Sequence, residues 1–408
     1  MRIGWLVLVA AALTVPVAAG AAGLTQSEAD AAVKAVVPDI QEIRGFKFTR
    51  PVPVSVIDDA KAREYALARF KRLTPESKIR SDQAVFRLLG LVPKDLDVLK
   101  ALLDVLEEQA GGFYDPTTKS FYLLNDMPKN MTGLLTAHEM THALEDQRYD
   151  IDGRIAKVLD DDDASFALSS LVEGSASLAA AVYVAKGIAS GTLDAEALAG
   201  MSDAVKTERL NAMPDALKRQ LLGPYVLGVT FLSRAHGGVA GAEFPASDVD
   251  AAWARPPRSS EQILHPEKYW DAARRDNPKP VTIPSPKTVL GKGWTLSGSG
   301  VLGELMLGSL VGAEAPDTAA LASGGGTWTN AAASGWGGDR FELWSNGPSS
   351  VVLLLTAWDT AKDADEFAAA LPAGRSDFGF KKQGAAVAIV AGAAGERRAA
   401  LLALLAQR

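Results

Sequence analysis

The sequence predicts an α+β chain that is predominantly helical, with a helix-rich unit over residues 23–287 and a small α+β unit over 288–408. Three observations carry this expectation. Apolar residues recur at helical spacing among Lys, Arg and Glu from Asp58 to Leu73 and again from Asp95 to Gln109. Gly111 to Leu124 holds two aromatic-rich runs around Asp115-Pro116, the pattern of a β-hairpin. From about Leu290 the composition turns to Gly, Ala, Ser and Trp, and short apolar runs of strand length replace the helical pattern.

The bulk properties narrow the classes further. With 408 residues, 48% of them apolar, the chain can bury a sizeable core and form two domains. A formal charge of -7 leaves no basic footprint, so no nucleic-acid partner is expected. The absence of Cys removes disulfides, cysteine metal sites and a lipid-modified cysteine. Arg2, the apolar run Ile3 to Val17 and the small residues Ala18 to Gly23 read as a secretory signal, cleaved after Ala19, Ala21 or Ala22. A signal peptide over 1–22 on a chain without Cys would deliver a disulfide-free protein, which fits a bacterial secreted or periplasmic product. No later stretch looks long and uncharged enough to span a bilayer, so no stable membrane span is expected after cleavage.

Taken in order, residues 24 to about 111 read as mainly helical, and the hairpin follows. A helix is expected from Thr132 to about Gln147 and, after an acidic loop at Asp160 to Asp163, a second from Ala164 to about Lys186. Further helices fit Asp194 to Leu210 and Ala216 to Arg234, and Ala252 to Pro286 reads as an extended wrap. In the last unit, Val301 to Val311 reads as a helix. Arg340 to Trp344, Val351 to Trp358 and Ala385 to Val390 read as strands, and Ala361 to Leu371 and Gly395 to Gln407 as helices. The glycine runs Gly324-Gly325-Gly326 and Gly337-Gly338 lack a following Lys-Ser/Thr, so a phosphate loop is rejected.

Chemistry concentrates in His138-Glu139-Met140-Thr141-His142, which holds two of the chain's 4 histidines. On a helix, residues four apart stand one above the other, so both imidazoles can point at one metal ion. Glu139 lies about a hundred degrees further round, able to act on a metal-bound water without being a ligand. Two histidines leave zinc under-coordinated, because a catalytic site takes three protein ligands and an open position. The third candidate is Glu173, in Ser170-Leu171-Val172-Glu173-Gly174-Ser175-Ala176-Ser177. It stands mid-helix among apolar and small residues, where an unpaired carboxylate is costly to bury. Gly174, Ser175 and Ala176 are expected to let the two helices approach around the metal.

At these residues the chain resembles the thermolysin-like metallopeptidases, the gluzincins. His138-Glu139-Met140-Thr141-His142-Ala143-Leu144 is similar to their active-site helix, and their third ligand is a Glu on a later helix, as Glu173 would be. The resemblance spans about Gln109 to Ala180 and implies a zincin-like core, bound Zn2+ and hydrolysis of a peptide or protein substrate. Zinc would then activate a water for which Glu139 is the general base. It also implies a His or Tyr that donates to the developing oxyanion. Candidates are His265 and Tyr225, with Tyr269 beside His265; His236 reads as a helix-end residue.

Three further points attach to this reading. Where thermolysin-like enzymes carry an Asp one turn after the third ligand, this chain has Ser177, and Asp146 is a possible substitute. Glu145 and Asp146 read equally well as solvated charges near a helix end. The metzincin pattern is excluded because Gln147 and Arg148 stand where its Gly and third His would follow. The strand Ser120 to Leu124 is a candidate edge for an extended peptide. The alternative reading is a non-catalytic, metal-containing cell-envelope binding protein; a third gives the C-terminal unit the main role, binding a cell-envelope partner or covering the cleft, with Trp328, Trp336 and Trp344 as a recognition surface and peptidase activity secondary.

Overall fold

The computed structural model describes residues 23–109, 111–194, 208–233, 243–316 and 326–407. The expected signal peptide, His236 and most of the expected helix from Asp194 to Leu210 lie outside the described residues. The fold is α+β, with long helices packed between two small sheets.

Helix α1 (Gln26–Arg44) opens on a capping box, in which Thr25 accepts from the Glu28 N–H and Glu28 accepts from the Thr25 N–H. It closes on Gly45, whose φ of 76° is the left-handed cap that glycine adopts without strain. Strand β1 (Val54–Ile57) follows, then α2 (Asp59–Leu73), α3 (Glu76–Leu89) and α4 (Val98–Gln109). The hairpin is β2 (Gly112–Asp115) and β3 (Ser120–Leu124). The Lys119 N–H donates to the Asp115 carbonyl across its turn, at 2.8 Å. β1 pairs parallel with β3 and β2 antiparallel with it, giving the order β1-β3-β2. This corrects the expectation for Ser120 to Leu124. That strand is central, because the β-branched run at Val54–Ile57, read as part of a helical region, covers its other side; the edge on the hairpin side is β2.

Helix α5 (Lys129–Tyr149) carries the two histidines and is buried on every face from Leu135 to Asp146. After α6 (Ile151–Val158) comes α7 (Asp162–Ser190), whose N-cap Asp161 accepts from the Asp163 and Ala164 N–H groups. Only the second half of the acidic run is a buried helix start, with Asp162 7% exposed and Asp163 3%; Asp160 is an exposed turn residue, as a loop would have it. By length and composition α7 could cross a membrane, contrary to the sequence expectation, but most of its apolar stretch is buried inside the protein. It packs along α8 (Asp215–Ser233) and α5. Gly174 of α7 faces Gly228 of α8, where a Cβ on either would strike the other helix's backbone. The small residue at 174 therefore brings α7 onto α8, not onto α5 as expected; Ser175 is the residue that faces α5.

Beyond α9 (Ala246–Ala254), the expected extended wrap contains two short helical turns, Ser260–Leu264 and Glu267–Trp270. The second sheet is fully antiparallel, in the order β4-β5-β6-β8-β7. Its strands are β4 (Thr295–Gly300), β5 (Trp336–Asn346), β6 (Ser349–Trp358), β7 (Phe378–Gln383) and β8 (Ala386–Ala391). Helices α10 (Gly303–Leu310), α11 (Ala361–Ala370) and α12 (Gly395–Leu405) pack against it. The two units are not separate in their packing. One apolar cluster runs from Phe70, Val85 and Phe86 through Phe113 and Leu302 to Phe341, Leu354 and Ile389. Trp328, Trp336 and Trp344 are buried, so they form no exposed recognition surface.

Candidate metal centre

One helical turn on α5 brings His138 Nε2 and His142 Nε2 to 3.0 Å from each other. From α7, Glu173 Oε2 completes a triangle, 3.2 Å from His138 Nε2 and 3.5 Å from His142 Nε2. The three side chains are buried, with exposures of 3%, 1% and 0% for His138, His142 and Glu173. Two donors held 2.0–2.1 Å from a tetrahedral zinc are about 3.3–3.4 Å apart, so the triangle has the size of one face of a zinc site. No Lys or Arg pairs with Glu173 among the described residues.

The electrostatics point the same way. Burial alone would raise the Glu173 carboxyl, but His142 and His138 outweigh it and hold it at about 2. Burial alone would lower His142, but Glu173, with help from Glu139 and Glu145, pushes it up to about 9. His138 is lowered, by burial first. A positive charge beside Glu173 thus stabilises the cluster, whether a proton on an imidazole or a cation supplies it. Glu173 Oε1 and His142 Nδ1 are buried and make no hydrogen bond.

Glu139, fully buried, points into the same region. Its Oε2 accepts the Tyr114 backbone N–H of β2 at 2.6 Å, while Oε1 makes no hydrogen bond. Burial raises Glu139 to about 8, with His142 opposing and Glu173 adding to the rise. Tyr225 of α8 lies over His138, with ring centroids 6.1 Å apart at 30°, and its hydroxyl is within hydrogen-bonding reach of Glu173. Burial, with the Glu173 and Glu139 charges, raises that phenol well above its ordinary value. The structure therefore brings His138, His142, Glu173, Glu139 and Tyr225 together.

It does not bring His265 to them. His265 Nε2 meets Glu304 Oε1 of α10 at 2.8 Å, and its Nδ1 is 3.9 Å from Glu267. Burial would lower this imidazole, but Glu304 outweighs it, so it is raised and serves as a half-buried partner to the buried Glu304. Tyr269 is core, with its hydroxyl on the Arg255 carbonyl and its ring against Phe231 and Trp270. Asp146 is not turned to a histidine either: Oδ2 accepts from the Tyr114 hydroxyl and Lys119, and Oδ1 from the Ile151 N–H. Glu145 and Asp146, read as solvated, are 0% and 3% exposed, because α5 has no exposed face there.

Sequence reasoning missed Tyr114 as the backbone donor to Glu139, and the buried pair Glu145–Arg44. A hairpin preceding the helix was visible, but nothing in its residue types says which N–H faces a carboxylate. A second group of donors, Glu261, Asp276 and Asp359, is also close enough to share a cation. Lys268 Nζ already lies among them, 2.5, 3.4 and 2.9 Å from their oxygens.

Residues 294–400 match a family model described as a domain of unknown function, DUF8575. The match covers the second sheet and its helices and contains none of His138, Glu139, His142 or Glu173. No curated protein and no solved structure matches the chain.

Proposed function

We propose that the chain is a zinc-dependent peptidase with a zincin-like core, hydrolysing peptide bonds outside the cytoplasm. The observation that carries this reading is the buried triangle of His138 Nε2, His142 Nε2 and Glu173 Oε2 with the free Glu139 Oε1 beside it. A purely structural metal would not need a second, unliganded carboxylate in the same buried space. Zinc held by His138, His142 and Glu173 would supply Lewis acidity and lower the pKa of a water.

The rest of the work falls to the chain's own groups. The Tyr114 N–H fixes Oε2 of Glu139 and leaves Oε1 to take the proton of the attacking water, then to pass it to the leaving amine, once a cation at the three ligands offsets the burial that raises this carboxyl. The Tyr225 hydroxyl is the donor best placed for the oxyanion, a role that His265 loses to its pairing with Glu304.

The test is metal analysis with casein digestion on wild type and Glu139→Gln. Zinc is expected in both, with cleavage in the variant lower by roughly 10²–10⁴-fold, the usual contribution of a general base. Equal cleavage by Glu139→Gln defeats the mechanism. Zinc in both without cleavage by either favours the non-catalytic cell-envelope binding protein.

A further inference from the structure

Beneath the candidate metal centre, one helical turn below His142, lies a carboxylate for which the catalytic reading has no use. Glu145 is 0% exposed, and its Oε1 accepts from Arg44 Nε at 2.7 Å and from Ser175 Oγ at 2.5 Å. The three partners come from three helices. Glu145 is on α5, three residues after His142; Ser175 is on α7, two residues after Glu173; Arg44 is the last residue of α1. Arg44 is itself clamped. Its guanidinium carbon stands 5.0 Å from the Phe46 ring centre and 4.8 Å from that of Phe244, and Nη2 meets Asp250 at 3.0 Å.

A shared acceptor of this kind fixes distance. The Ser175 hydroxyl and the Arg44 guanidinium converge on one oxygen, so α7 cannot slide along α5 without breaking a charge-assisted bond inside the protein. The other oxygen, Oε2, and His142 Nδ1 are both buried without a hydrogen bond. They stand three residues apart on one helix, the spacing at which side chains meet, and Glu145 is close enough to act on His142 through space.

We propose that Glu145, gripped by Arg44 and Ser175, is the positioning residue of the metal centre, setting α5, which carries both histidines, against α7, which carries Glu173. This rests on the zinc reading above. It makes α1 a working part of the site.

Removing Glu145 alone strands a buried arginine and risks unfolding, so the informative variants are the paired Arg44→Met with Glu145→Met, and Ser175→Ala. Zinc affinity is measured by chelator competition, Co2+ substitution by its visible spectrum, and folding by thermal melts in EDTA. The folded paired variant is expected to bind zinc roughly 10–100-fold more weakly, the usual effect of losing an outer-shell partner, with altered Co2+ bands. Ser175→Ala is expected to move both readouts a few-fold in the same direction, and it decides the matter if the paired variant gives no cooperative melt. Zinc affinity within twofold of wild type in a folded variant, with an unchanged Co2+ spectrum, overturns the proposal. Wild-type protein that takes up no zinc overturns the proposed function and this inference together, whereas normal wild-type uptake with unaffected variants overturns this inference alone.

Discussion

Two groups of converging donors in this molecule look alike by distance and differ in what neutralises them. Glu261, Asp276 and Asp359 surround the Lys268 ammonium, which supplies the cation from the chain itself. His138, His142 and Glu173 converge as closely, but no lysine or arginine pairs with them among the described residues. Three convergent donors do not by themselves imply a metal. A site that carries its own cation is an ion-pair hub; one that lacks it, and is buried, is stabilised by a borrowed proton or ion.

The largest effect should come from removing the borrowed charge's anchor. Glu173→Ala is expected to weaken zinc binding on the order of 10²–10³-fold, the share of one ligand in a structural-strength site. Excess zinc should raise the melting temperature of wild type and not that of the variant. An equal rise in both would erase the distinction between the two groups.

The lysine-centred group gives the next test. Lys268→Met strands Glu261, which is fully buried, beside Asp276 and Asp359, which are 24% and 27% exposed. A loss of about 3 kcal/mol is expected in urea unfolding, at the lower end for a broken buried pair because two partners keep some water. Added Ca2+ should recover part of that loss in the variant and none in wild type, since three carboxylate oxygens within 4.8 Å can then share an ion. A variant as stable as wild type would mean that Lys268 is not what holds this group together.

How much of this was legible in the sequence follows from what each feature depends on. The histidine pair was legible because four-residue spacing on a helix fixes both rings to one face. Glu173 was legible because a carboxylate within an apolar run needs a partner. Glu145 was not, since its burial comes from α5 being enclosed on all sides, and a helix with no exposed face leaves no period to read. His265 was misplaced because scarcity of a residue type says nothing of location; its partner Glu304 lies 39 residues away. β1 escaped because its four residues are too few to show alternation beside long helical stretches. The core shared by the two units escaped because composition marks a boundary in sequence, whereas apolar faces on both sides of it still bury against each other.

Asp339 shows a third way to bury a carboxylate and gives the smallest expected effect. No cation pairs with it among the described residues. Its oxygens accept from the Leu302 and Gly303 N–H groups at 2.8 Å each and from Trp336 Nε1 at 3.0 Å, which fastens the start of α10 to β5. Burial raises it to about 6, from 3.8, because these dipoles offset less desolvation than a full charge would. A carboxyl whose folded pKa exceeds its unfolded value binds more protons when folded. Its contribution to stability is therefore complete below about pH 4 and is lost as pH rises through about 6. A two-unit shift corresponds to about 2–3 kcal/mol. Other carboxyls titrate in the same window, so the measurement is the difference between wild type and Asp339→Asn, taken by urea unfolding at pH 4 and pH 7.5. Wild type should lose about 2–3 kcal/mol relative to the variant across that interval. A difference that does not change with pH would mean that three N–H groups neutralise a buried carboxylate as well as Lys268 does, and the need for a cation at Glu173 would then rest on the histidines alone.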